Sequence, residues 1–254
     1  MEVHHHSHSP RRKWTHYFWE FLMLFLAVFC GFLAEYKLEH VIEQNRAKEY
    51  AASMVSDLSS DTTELNEYIR NATYAYANID TLLKLLSEKD PKEIPSGKLY
   101  WYGLWGGYLR SFVSNDATLQ QMKGSGSLRY FSNRLINNKV AQYDQLCRKM
   151  KSSEDDDIIV FTEVRKIRGQ IFEFRYNAAA NAIAQRNRVN FDQTRIDSFI
   201  NVNPPLLTYD KSIFNQYVEL VRSRFLERRV ALADTLLSRA AVLLQDLKKE
   251  YHLK

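Results

Sequence analysis

YFWEFLMLFLAVFCGFLAEY, residues 17–36, is the stretch on which the reading of the whole chain turns. From Phe21 to Ala34 it carries no charge, and Glu20 is the single ionisable group just upstream. Counted back to Trp14, the apolar run is about 20 residues long, what a helix needs to cross roughly 30 Å of hydrocarbon. Everything after it is too polar to enter lipid, so residues 14–36 are expected to form one transmembrane helix and residues 37–254 to hang on one side of the membrane. No small-residue cleavage site follows the apolar run, and the helical pattern continues through Ala34 and Glu35. The segment therefore reads as a retained anchor rather than a signal peptide.

The flanks set the orientation. Residues 1–13, MEVHHHSHSPRRK, form a polar tail ending in Arg11, Arg12 and Lys13, whereas Glu35–Glu49 carries four acidic and three basic residues. Positive charge stays on the cytoplasmic side, so the tail is expected inside and the bulk of the chain outside. His4, His5, His6 and His8 are metal-capable, but they lie in a tail with no fold to fix their geometry, and no metal site is assigned. Glu20 has His16 at i−4 on its face of the helix, which makes the two a candidate intramembrane polar contact. Ala27, Gly31 and Ala34 supply a candidate small-residue face for close helix packing. The bilayer is thus the first partner, and a homo-oligomer or a membrane-protein complex the second.

Beyond Tyr36 the pattern is helical. Leu58, Thr62, Leu65, Ile69, Ala72, Tyr76, Ile79, Leu83 and Leu86 step by fours and threes, and no helix breaker appears before Asp90–Pro91. One helix is expected from the inner interface to about Ser87. KLYWYGLWGGYLRSF, residues 98–112, is the densest aromatic patch outside the span. Trp101, Tyr102, Trp105 and Tyr108 are either a candidate interaction surface or rings that plug the end of a bundle. A short helix over Asp116–Met122 precedes a structural turn at Gly124, Ser125, Gly126 and Ser127. Ser125 or Ser127 is expected to cap a helix starting near Leu128.

That helix carries Ile136, Val140, Tyr143, Cys147 and Met150, and Ser152–Asp157 is expected as a turn whose acidic triplet opens the next helix. Val160, Val164, Ile167, Ile171, Phe174 and Ala178 continue the stepping. After the break at NVNPP, residues 201–205, a last helix is expected from Tyr209 to Tyr251 with Phe214, Val218, Val221, Phe225, Leu232, Leu236, Leu243 and Leu247 inward. Arg222, Arg224, Arg228 and Arg229 are expected exposed or paired with Glu219 and Glu227. The fold class is all-α: one N-terminal transmembrane helix continuing into an elongated antiparallel bundle of about four long helices.

Composition excludes more than it assigns. A net charge of +5 scattered over several helices, with no groove-reading element, argues against nucleic acid. Outside the tail and span the histidines are His40 and His252, far apart in sequence, and no nucleotide loop, zinc spacing or nucleophile elbow is present. No enzyme, cofactor or small-molecule substrate is expected. Cys30 lies mid-span and Cys147 in the polar part, so they do not pair, and Cys147 is expected as a small buried apolar residue.

The order WEFLMLFLAVFCGFLAEY, MVSDLSSDTTEL and ATLQQMKGSGSLRYFSNRLINNKVAQYDQL resembles a family of uncharacterised bacterial single-pass membrane proteins, over residues 1–150. That family's pattern has Gly-Glu before the span and a small-Gly-x-Leu turn opening a later helix. Here Trp19 stands where glycine is usual, and Ser127 where asparagine is common. The resemblance implies an inner-membrane protein of outer-membrane-bearing bacteria with a periplasmic helical domain, and draws attention to Glu20 and Gly124–Leu128. It brings no activity. The expected function is a membrane-anchored periplasmic interaction or scaffold protein. The alternatives are a ligand-sensing ectodomain acting through a partner and an accessory to a proton-driven machine that uses Glu20.

Overall fold

The computed structural model describes residues 14–108 and 110–253, and every described element is helical. The tail 1–13, with its four histidines, lies outside the described residues. The chain divides into two units, residues 1–50 and 51–254.

Within the first unit, helix α1 (Trp14–Glu88) begins at the apolar stretch. An 18-residue window there has a mean hydropathy of 2.0, and none of it is buried within the protein. This is one helix long and apolar enough to cross a membrane. Aromatic rings stack along it in steps of one turn, Phe21 on Phe25 and Phe25 on Phe29.

The second unit opens on the rest of α1, which runs unbroken until Asp90 and Pro91. Asp90 caps a short 3-10 turn over Pro91–Glu93 through Lys92 N, while Glu93 reaches back to Asp90 N. The buried stripe of α1 is Ala51, Met54, Leu58, Asp61, Leu65, Tyr68, Ala72, Ala75, Ile79 and Leu82. Leu58, Leu65, Ala72 and Ile79 are as expected. The alternate positions are not: Asp61, Tyr68 and Ala75 face inward, and Thr62, Ile69 and Tyr76 lie one residue off the stripe. The stripe runs through Asp61, a wholly buried aspartate.

Helix α2 (Ser96–Leu104) leads into a 3-10 turn at Trp105–Gly107, then an extended segment, then α3 (Ala117–Ser125). The aromatic patch is core rather than surface. Trp101, Trp105 and Tyr108 are buried and Tyr102 is half-buried, with Trp105 edge-on to Tyr74 at 5.0 Å and to Trp101 at 6.0 Å. Glycines let this segment approach its neighbours. A Cβ on Gly97 would collide with the carbonyl oxygens of Ile200 and Val202, and one on Gly106 with the Tyr217 hydroxyl.

The turn expected over Gly124–Ser127 is shorter: Gly124 and Ser125 end α3, and Gly126 alone takes the left-handed conformation (φ 69°) that closes it. The expected cap does not form. Ser125 bonds back to Gln121 O and shares a hydrogen with Ser127, a 3-10 turn fills Ser127–Tyr130, and Asn133 caps α4 through Leu135 N.

Helix α4 (Arg134–Ile171) runs straight through Ser152–Asp157, where a turn was expected. The reason is visible in the stepping, since Met150, Glu154, Asp157 and Val164 continue one buried stripe. The chain breaks instead at Phe172–Glu173, before α5 (Phe174–Val189). The break shifts the phase, so Phe174 is exposed and Ala180 and Ala184 are buried. Helix α6 (Gln193–Ile200) is capped by Asp192, and α7 (Lys211–Ser223) by Asp210. The single last helix expected over 209–251 is two, α7 and α8 (Leu226–Glu250), separated at Phe225, whose φ is 48°. Helix α4 packs along both α7 and α8, and α2 packs on α5 and α6.

Candidate functional site

Two polar groupings lie inside the helical unit, and both are built on acidic residues that fall on otherwise apolar stripes. In the first, Asp157 of α4 meets Arg224 and Arg229 from the α7–α8 junction. Arg224 grips the carboxylate with two parallel bonds, Nε to Oδ1 at 2.8 Å and Nη2 to Oδ2 at 2.6 Å, and sends Nη1 to the Gly106 carbonyl at 2.6 Å. Its guanidinium also lies 5.2 Å from the Phe161 ring centroid. Arg229 adds Nη1 to Asp157 Oδ2 at 2.7 Å. All three side chains are essentially out of solvent. The sequence places Arg224 and Arg229 either exposed or paired with Glu219 and Glu227. In fact Asp157 holds both.

Two buried cations on one carboxylate leave one positive charge over. Among the described residues, Nε and Nη2 of Arg229 and the Tyr108 hydroxyl have no hydrogen-bond partner. A second carboxylate that feels Arg229 is Glu154, one turn before Asp157 on α4 and only 4% exposed. Its Oε1 accepts from Phe112 N at 2.9 Å. Burial pushes its pKa up to about 7, and the Phe112 amide and the Arg229 charge only partly oppose that. Burial likewise raises the Tyr68 and Tyr108 phenols, which stand against the same arginine.

The second grouping is centred on Asp61 of α1, which is wholly buried. Asn115 donates to Oδ1 from its backbone at 2.7 Å and from its amide at 3.2 Å, and the Tyr143 hydroxyl donates to Oδ2. Desolvation raises the Asp61 pKa despite these three donors, and the neighbouring Asp57 charge adds to the rise. Cys147, expected as a buried apolar filler, is half-buried beside Tyr143 and Ser114. Burial pushes its thiol up to about 11, which leaves it protonated and a poor nucleophile at neutral pH.

A cleft of about 550 Å³, lined by Glu154 and by the Asp61 partners Asn115 and Tyr143, opens between α1, the extended segment 111–116, α3 and α4. Met54, Leu58, Val113 and Leu119 give it apolar walls, and Asp57, Asp116 and Glu154 face into it. In the same lining Lys123 and Arg148 share Asp144, and Lys151 lies 3.5 Å from Asp155. Among the described residues no three His, Cys, Asp or Glu side chains are grouped closely enough to hold a metal ion.

The residues singled out from the sequence are dispersed. His16 and Glu20 meet on α1 at 3.3 Å, in the first unit. Ala27, Gly31 and Ala34 are exposed there, and a Cβ on Gly31 would meet nothing. The aromatic residues 101–108 lie in the core of the second unit, and the Gly126 turn closes α3. Glu154, Asp157, Arg224, Arg229 and Asp61 were missed as a set. The available signal was their position, since each carboxylate sits three or four residues from apolar neighbours on a single helix face.

The chain matches no family model, no curated protein and no solved structure. The site is therefore defined by its own geometry.

Proposed function

We propose that this chain is a single-span inner-membrane protein whose helical unit acts in the periplasm as a non-enzymatic interaction and scaffold module, self-associating or joined to a membrane complex. The observation that carries this reading is the bare apolar surface of the first part of α1: among the described residues nothing covers Phe21, Leu24, Val28 and Phe32, which are all exposed. Exposed apolar area of this extent is stable only against lipid or another apolar surface. The basic run Arg11–Lys13 supports a cytoplasmic N-terminus. In this reading the resemblance to single-pass bacterial membrane proteins extends to their topology.

A non-catalytic role is in keeping with the Cys147 thiol, which burial holds protonated at neutral pH, and with the separation of His40 and His252 in the sequence. A ligand-sensing ectodomain is the second reading, and the cleft over Asp61 and Glu154 favours it. Alkaline carbonate extraction of native membranes, followed by protease treatment of intact spheroplasts, tests the anchorage. The expected result is a pelleted protein whose C-terminal unit is digested from outside. Release into the carbonate supernatant, or digestion only after lysis, overturns the reading.

A further inference from the structure

We propose that the unpartnered edge of Arg229, together with the Tyr108 hydroxyl, holds a small monovalent anion such as chloride inside the helical unit. Both residues belong to the second unit, so the site does not depend on the membrane anchorage.

A guanidinium presents one fork, its Nε–H and Nη2–H edge, shaped for an acceptor that takes two bonds at once. Arg224 sets that fork on Asp157, with Nε and Nη2 at 2.8 and 2.6 Å from the two carboxylate oxygens. Arg229 reaches the same carboxylate from its other end, through Nη1 at 2.7 Å. Its own fork therefore has no acceptor, although the residue is only 3% exposed. A charged donor pair buried in this state is costly unless an acceptor meets it.

The neighbouring groups share the deficit. The Tyr108 hydroxyl and Trp105 Nε1 are buried donors without a hydrogen-bond partner among the described residues, on rings whose centroids lie 6.1 Å apart. Tyr108 stands in the field of Arg188, Arg110 and Arg229. Arg110 is matched by Glu67 at 2.8 Å. Arg188, exposed at the end of α5, lies 5.7 Å from the Tyr108 ring centroid and adds positive charge on the solvent side.

Charge and size fix the class of ligand. A water molecule has two lone pairs and no charge, so it leaves the surplus of the Asp157 cluster where it is. A monovalent anion cancels that surplus and accepts from several donors together. A dianion overshoots a single surplus charge and is costlier to desolvate. An organic anion is excluded by packing, since Tyr68, Trp105 and Tyr108 are all buried around the arginine. Glu154, the other carboxylate that feels Arg229, keeps its proton below about 7, so at lower pH it does not supply the missing charge.

The test uses the full-length protein in detergent at pH 6, with sodium gluconate replaced stepwise by sodium chloride at constant ionic strength. The expected result is a saturable rise in Tm, half-maximal near ~5 mM chloride and amounting to roughly 4–7 °C at about 100 mM. Arg229→Gln, which leaves Asp157 paired with Arg224, should lose the saturable response, and Tyr108→Phe should weaken the affinity about tenfold. In crystals of the unmodified protein grown in sodium bromide, an anomalous bromine peak should lie at hydrogen-bond distance from Arg229 Nε and Nη2. The proposal is overturned by a response that does not saturate, by an equal response in Arg229→Gln, or by a water molecule in place of bromide at the fork. The crystal measurement needs no variant and decides the matter even if Arg229→Gln fails to fold.

Discussion

Glu154→Gln should stabilise this protein at alkaline pH and leave it unchanged at acid pH. The side chain is 4% exposed, and its pKa rises to about 7 from an ordinary value of 4.5. The charged groups that face it are Arg229 from α8 and Lys151 and Asp155 on its own helix, and the Phe112 amide supplies its hydrogen bond. Because the folded state holds the proton more tightly than the unfolded chain, stability falls as pH rises from about 4.5 to about 7 and is level beyond. At about 1.4 kcal/mol per pKa unit, the loss attributable to this one carboxylate is about 3 kcal/mol. Glutamine keeps an acceptor for Phe112 N and removes the charge, while Arg229 loses a favourable neighbour, so the net gain at pH 8 should be about 1–3 kcal/mol. For a domain of this size that raises Tm by roughly 3–9 °C. Thermal melts followed by circular dichroism at 222 nm, on full-length protein in detergent between pH 5 and 8.5, give the difference directly. Asp61 titrates in the same sense in both proteins and cancels in that difference. Equal destabilisation by Glu154→Gln at pH 5 and pH 8 would refute the reasoning, because it would mean that the carboxylate is matched by its surroundings when ionised.

Asp157→Asn should cost about 3–5 kcal/mol, since it leaves Arg224 and Arg229 buried without a counter-charge; a denaturant midpoint shifted by less than a third of that would argue against a structural ion cluster. At Phe225, with φ 48°, Phe225→Gly should be nearly neutral and Phe225→Val destabilising by roughly 1–2 kcal/mol, as β-branched residues resist the left-handed region. Gly97→Ala should destabilise by about 3 kcal/mol or more, because the new methyl meets main-chain oxygens, whereas Gly124→Ala, with open space around it, should be neutral or stabilising by up to about 1 kcal/mol. Cys147 should resist iodoacetamide at pH 8 in the folded protein and react readily in urea, read by mass spectrometry; rapid alkylation of the native state would contradict a thiol raised to about 11.

The helical class and the apolar N-terminal run were legible because both rest on periodicity and length, which tertiary contacts rarely reverse. Leu58, Leu65, Ala72 and Ile79 mark the core face of α1, and Ile136, Val140 and Met150 that of α4, all from their spacing. What misled was composition. Ser152–Asp157 reads as a polar turn only if buried charge is discounted, yet Glu154 and Asp157 hold the same stripe as Met150 and Val164, and the helix continues. The run Arg222–Arg229 reads as an exposed helix face for the same reason. The cleft was out of reach of periodicity altogether, since its walls come from α1, α3, α4 and the segment 111–116, joined only by folding. Phe174 and Phe225 were placed inward because apolar residues were extrapolated across breaks that local sequence marks only weakly.

The break at Phe225 and the burial of Asp157 explain each other. In an unbroken α-helix, residues five apart point roughly 140° away from one another, so Arg224 and Arg229 could not address one carboxylate. A single left-handed residue between them re-aims the chain, and both guanidinium groups then reach Asp157 Oδ2, at 2.6 and 2.7 Å. The strain of a non-glycine residue in that region, about 1–2 kcal/mol, is small beside the cost of leaving either cation buried and unmatched. The arrangement also connects the interior to the cleft. Glu154 lies one turn from Asp157 on the same helix, feels Arg229 on its inner side, and holds the Phe112 amide of the segment that walls the cleft. An arginine pair set by one backbone kink thus fixes the field at the carboxylate where the cleft meets the core.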